Sequence, residues 1–203
     1  MHVRHFALLA LLLGLLAPAR ALEVAGVDYP PRVELGGQPL LLNGAGVRYK
    51  FVVKVYTAGL YLGTKAQTPE AVLGAPGPKR IQVAMLRDID ANELGKLFTR
   101  GMQDNSTRAE FAKSIAGTLE MADIFSRRKK LLAGDQFSVD WVPGKGTLIL
   151  VNGQPQGAPI AEPEFFRALA RIWLGPNPPD AQLKDALLGK APVAAANGAP
   201  SGN

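Results

Sequence analysis

The sequence predicts an α+β fold: one large antiparallel sheet with a layer of helices on one side. Three observations predict it. Strand-patterned and helix-patterned segments come in blocks, in the order strands, helices, strands, helices, rather than in strict alternation. The strands are separated by brief turn signals such as Gly36-Gly37 and Asn152-Gly153, which join antiparallel neighbours. Over 203 residues, 47% are hydrophobic and 20% charged, a balance that builds a packed core in a single domain.

Residues 1–21 read as a cleaved secretory signal. Arg4 supplies the positive start, and Phe6 to Ala17 is an apolar run too short to cross about 30 Å of hydrocarbon. Ala19-Arg20-Ala21 matches the small-x-small cleavage pattern. The expected product is therefore exported, periplasmic in a Gram-negative bacterium and otherwise secreted. No later segment is apolar enough to span a membrane. Removing Arg4 and Arg20 leaves 21 cations against 17 acids, a net +4. That excess favours acidic ligands weakly and does not specify nucleic acid.

The same cut removes His2 and His5, and the chain has no Cys. A Ser-His-Asp or Cys-His nucleophile is then excluded, along with disulfides and Cys-based zinc sites. No metal and no cofactor are expected. Acid–base chemistry would fall to Tyr, Lys, Asp, Glu or Arg.

The elements follow in order. Glu23 to Asp28 is a short strand, stopped by Pro30-Pro31. Val33 to Leu35 and Pro39 to Leu42 flank the Gly36-Gly37 turn. Val47 to Leu62, rich in Val, Tyr and Phe, reads as strand. Thr68 to Leu73 is a short helix, Gly74 to Pro78 a loop, and Arg80 to Leu86 a strand. Asp90 is an N-cap with Glu93 completing a capping box. Leu94, Leu97, Phe98 and Met102 then form one helical face. Phe111, Ile115, Leu119, Ala122 and Phe125 mark the buried face of a second, longer helix. Its end is basic, Arg127 to Lys130, which complements the helix dipole. Asp135 to Val142 and Gly146 to Val151 are strands joined by Pro143-Gly144-Lys145. Glu164 to Leu174 and Asp180 to Leu188 are helices, and residues 190–203 read as a disordered tail. One domain, residues 22–189, remains.

Two blocks carry a family resemblance. The first is Leu42-Asn43-Gly44-Ala45-Gly46-Val47-Arg48, running into Lys54-Val55-Tyr56-Thr57-Ala58-Gly59-Leu60-Tyr61-Leu62. The second is Phe165-Phe166, Ile172-Trp173-Leu174-Gly175, and Pro178 to Leu188. Together they resemble the chalcone isomerase-like superfamily, and the second block is more similar to its fatty-acid-binding and bacterial members. The resemblance implies an open-faced β-sandwich, with ligands in a cleft between sheet and helices.

It also implies site residues. Plant chalcone isomerases use an Arg in the first motif, a Thr in the second, and a Tyr and an Asn on the next helix. Matched position by position, these fall on Arg48, Tyr56, Phe98 and Asn105. The Thr has become Tyr and the Tyr has become Phe, so the carbonyl-polarising network differs at two of four places. An Arg–Tyr pair resembles the members that hold a fatty-acid carboxylate.

Read without the resemblance, the same residues keep alternatives. Arg48 is also a sheet-edge cation, Tyr56 and Phe98 are also core aromatics, and Asn105 also terminates a helix. Arg48 and Tyr56 are eight residues apart, about 26 Å on a straight strand, so the chain must turn between them to bring them together. Tyr49 to Val53 holds no Gly or Pro to mark such a turn.

Three functions are therefore expected in order: an exported module binding a fatty acid or similar amphipathic carboxylate; an intramolecular lyase or isomerase acting on an aromatic or enone substrate; and a structural or interaction protein of the cell envelope. The expected partner is a small amphipathic ligand.

Overall fold

The computed structural model describes residues 20–190. The expected leader, but for its last two residues, and the expected tail, but for Lys190, lie outside the described residues.

The strands are β1 (Leu22–Val24), β2 (Val27–Tyr29), β3 (Arg32–Leu35), β4 (Gln38–Lys50), β5 (Val53–Leu62), β6 (Lys79–Met85), β7 (Ile89–Asp90), β8 (Lys130–Leu131), β9 (Gln136–Val142), β10 (Gly146–Val151) and β11 (Gln154–Pro155). The helices are α1 (Pro69–Gly74), α2 (Ala91–Asp104), α3 (Arg108–Ser126), α4 (Pro163–Leu174) and α5 (Ala181–Leu187). Seven strands form one antiparallel sheet in the order β11-β10-β9-β6-β5-β4-β3. The predicted class and layering hold.

The main core lies between this sheet and the helices. Alternate residues of β6 (Ile81, Val83, Met85) and β9 (Phe137, Val139) meet Leu94, Phe98 and Met102 of α2, Phe125 of α3, and Phe165, Leu169 and Trp173 of α4. A smaller core on the other face gathers Tyr29, Leu40, Leu42 and Tyr61. It is covered by the β1–β2 hairpin, so the expected single strand from Glu23 to Asp28 is two strands turning at Ala25-Gly26. Tyr29 closes this layer by donating to Thr57 Oγ1 at 2.8 Å.

The largest departure from expectation bears on the site. Val47 to Leu62 is not one strand. It is the end of β4, a two-residue turn at Phe51-Val52, and β5. Phe51 takes a positive φ of 57° while Val52 does not. That pattern belongs to a type II′ turn, whose first central position usually holds glycine. No residue here signalled the turn because its two central residues are strand formers by type. Two bulges follow along the pair, at Asn43 and at Val55. The second leaves Arg48 directly opposite Tyr56.

The buried face of α3 also differs from the expected one. Ser114, Gly117, Thr118, Met121, Ile124 and Phe125 point inward, and Ile115 and Leu119 are exposed. Gly117 explains the rotation: a Cβ there would lie 2.6 Å from Ile160 and 2.7 Å from the Phe165 ring. Close approach to α4 selects small side chains, and a count of large apolar residues misses such a face. At the helix starts, Asp90 caps α2 by accepting from the Glu93 amide, as expected. The reciprocal capping box belongs to Thr107 and Glu110 at the start of α3.

Helix α5 lies across β4 with almost no clearance. A Cβ on Gly44 would fall 1.9 Å from the Ala186 carbonyl oxygen, and one on Gly46 would fall 2.7 Å from Ala186 Cβ. Asn43, turned out of the ladder by its bulge, donates to the carbonyls of Leu187 (2.7 Å) and Ala66 (2.8 Å) and accepts from the Ala66 amide. Asp180 caps α5 and also accepts from the Tyr49 amide at 2.8 Å, tying the helix start to the strand that carries Arg48. Lys184 donates back to the Gly175 carbonyl.

Candidate functional site

A cavity of about 270 Å³ opens where the β4–β5 hairpin passes over α2. The hairpin contributes Arg48, Val55 and Tyr56; α2 contributes Leu94, Leu97, Phe98 and Gly101; α4 contributes Ile172. The loop from α4 to α5 adds Asn177 and Pro179. The inner wall is apolar. The rim carries Lys50, Glu93, Arg100 and Asp104, of which Arg100 and Asp104 face each other at 3.7 Å.

Directly opposed residues of an antiparallel pair project from the same face, with Cβ atoms about 4.5–5.5 Å apart. The hairpin thus shortens the expected strand separation of Arg48 and Tyr56 to one rung of the ladder, and both line the cavity. Arg48 is half-buried, and among the described residues no carboxylate comes within salt-bridge distance of it. Its guanidinium is a five-donor fork suited to a planar anion.

Tyr56 is buried, and its phenol is pushed up to about 12, mainly by burial. The Trp173 indole N–H and the Arg48 charge pull it partly back, while Asp180 pushes it up. The phenol therefore keeps its proton at neutral pH. Its oxygen accepts from Trp173 Nε1 at 2.9 Å, and among the described residues nothing accepts its own proton. The arrangement orients the phenol by one bond and leaves its O–H without an acceptor among the described residues.

Phe98 also lines the cavity, but from the centre of an aromatic cluster. Its ring lies 5.9 Å from Phe125, 5.8 Å from Phe137 and 5.5 Å from Trp173, in edge-on or tilted contacts. It supplies shape and no hydrogen bond. Asn105 does not share the cavity with the other three. It caps α2, donates to the Gly101 (2.9 Å) and Asn177 (3.0 Å) carbonyls and accepts from the Asn177 amide at 2.7 Å. Every polar atom of its amide is spent on the backbone, so it positions Asn177 of the cavity wall rather than facing the space. Ile115, expected on the buried face of the second long helix, is exposed on α3 and takes no part in the cavity. Leu94 and Leu97 line the cavity.

The residue of the candidate site that sequence reasoning missed is Trp173, which bonds to Tyr56 from behind the cavity wall. It is buried on α4. Nothing local indicates that its N–H reaches Tyr56, 117 positions away. The cation pair Lys50 and Arg100 at the rim was likewise hidden, because the turn that brings Lys50 there was hidden.

Comparison with known proteins agrees with this architecture. No curated protein matches the sequence. Among solved structures, the chain is similar to the Arabidopsis thaliana fatty-acid binding protein AtFAP1, with a TM-score of 0.62 at 12% identity, covering 81% of this chain and 92% of that one. At that identity the likeness concerns the fold. The family model described as chalcone isomerase-like matches residues 21–189, so the chain belongs to the chalcone isomerase-like family.

Proposed function

We propose that this chain is an exported binding module that holds a fatty acid, or another amphipathic carboxylate, without converting it. The observation that carries this reading is that Arg48, which has no salt-bridge partner among the described residues, stands opposite Tyr56 in the ladder, both lining an otherwise apolar cavity. A carboxylate accepts from both donors, and charge-assisted bonds of this kind contribute about 1.5–3 kcal/mol each. The Val55, Leu94, Leu97, Phe98 and Ile172 side chains then bury the tail at about 0.8 kcal/mol per methylene. The volume sits near the lower end of small-molecule pockets, about 300–1,000 Å³. The similarity to a protein named for fatty-acid binding supports the same choice.

Displacement of a fluorescent fatty acid tests the site. Arg48→Ala is expected to weaken binding about tenfold to a hundredfold. Thermal unfolding should barely change, because the side chain has no protein partner among the described residues. A variant that binds acids as tightly as the parent removes the head-group assignment. The export half of the proposal is checked separately: N-terminal sequencing of the product recovered outside the cytoplasm should begin at Leu22. A cytoplasmic product that retains Met1 would overturn it.

A further inference from the structure

The tip of the β4–β5 hairpin reads Lys50-Phe51-Val52-Val53-Lys54, and the two side chains at its apex, Phe51 and Val52, touch almost nothing. Phe51 is 91% exposed, Val52 90% and Val53 41%. Phe51 also holds a left-handed backbone conformation that glycine adopts far more readily. Neither the core nor the turn gains from these residues, so folding does not account for them. A polar pair such as Gly-Ser would serve the turn better.

What surrounds the tip narrows the occupant. Lys50 and Lys54 flank it on both strands, and Arg48 follows one rung further in. Lys50 also lies on the cavity rim, where it is joined by Arg100 and by Leu97, which is 51% exposed. Glu93 and Asp104 share that rim, and Arg100 and Asp104 offset each other, so the excess positive charge belongs to the hairpin's own Arg48, Lys50 and Lys54. Two bulky apolar side chains on a narrow tip are far too small for a stable protein interface, which covers about 800 Å² per partner. They suit shallow insertion into the boundary between acyl chains and headgroups, with flanking cations at the level of anionic phosphates.

We propose that this hairpin tip docks the protein onto an anionic lipid bilayer, seating the cavity mouth against the membrane surface. The docking stands on the tip alone. That acyl ligands pass between bilayer and cavity is a consequence only where the cavity takes them.

The test is co-sedimentation of the purified protein with vesicles of phosphatidylcholine, with and without one-third phosphatidylglycerol. The parent is expected to bind the anionic vesicles and to be released by salt. Phe51→Gly/Val52→Ser places a favoured residue at each turn position, so it keeps the fold, and it should lower binding at least about tenfold. Lys50→Gln/Lys54→Gln should lower binding to anionic vesicles by about tenfold or more and leave neutral vesicles unaffected. A parent that ignores anionic vesicles overturns the proposal, as does a Phe51→Gly/Val52→Ser variant that binds like the parent. So does sedimentation velocity showing a parent dimer that this variant dissolves, which would make the tip a contact between copies. Fatty-acid displacement in vesicle-free buffer, run on every variant, keeps failure of docking distinct from failure of the cavity reading.

Discussion

A hydroxychalcone offered to this protein is expected to cyclise at least about a hundredfold to a thousandfold more slowly than at a site with the family's full donor set. Each preorganised donor aimed at a developing oxyanion is worth about 2.7–4 kcal/mol in oxyanion sites. Here the helix position that would carry a tyrosine hydroxyl is Phe98, whose ring packs edge-on against Phe125 and Trp173. Asn105, the other helix donor, is committed to the Gly101 and Asn177 backbone. Of the four positions only Arg48 and Tyr56 are cavity-lining residues that carry a side-chain donor, and two adjacent donors match a carboxylate better than a ketone awaiting attack. The measurement is the absorbance decay of the chalcone. Turnover at about 1–1000 per second, the range of ordinary enzymes, would show that the cavity performs the chemistry after all.

Trp173→Ala is expected to cost about 3–5 kcal/mol of stability, the usual toll for emptying the space of a buried aromatic. For a domain of this size that lowers Tm by about 10 °C. The residue is buried at the junction of α4, Phe98 and Tyr56, so nothing nearby moves in to fill the hole without disturbing the others. Trp173→Phe separates packing from polarity. It should keep most of the stability and lose the N–H that orients Tyr56, a bond worth about 1 kcal/mol. Thermal unfolding of both variants, read beside fatty-acid affinity, checks the assignment. A Trp173→Ala protein that melts with the parent would mean that the Phe98 cluster does not depend on it.

The fold class was legible because it rests on periodicity and turn residues spread over the whole chain. The site was legible in part. Arg48, Tyr56 and Phe98 could be placed on a shared cavity only through the family resemblance, since their spacing along the chain argued against it. The obstacle was Phe51-Val52, a turn built from residues that favour strands, and no composition rule finds it. Asn105 failed for a different reason. Its position on the helix was right, but the backbone groups of a loop 72 residues away claimed its amide first. Ile115 and Leu119 failed because Gly117 draws α3 toward α4 on a face of small residues.

The seat of α5 on Gly44 and Gly46 has a temporal side. Its fastenings join Tyr49 to Asp180 and Asn43 to Leu187, partners 131 and 144 positions apart. Contacts that far apart close large loops, so they are expected to form late. Apart from the β6–β9 pair, the sheet joins strands that follow one another in the chain, whereas the wall made by Asn177 and Pro179 depends on the C-terminal helix being latched. The cavity is therefore expected to gain its last side late in folding. Brief unlatching of α5 offers a way to widen it without unzipping a strand, visible as earlier hydrogen exchange at the amides of residues 181–187 than at those of β5 and β6.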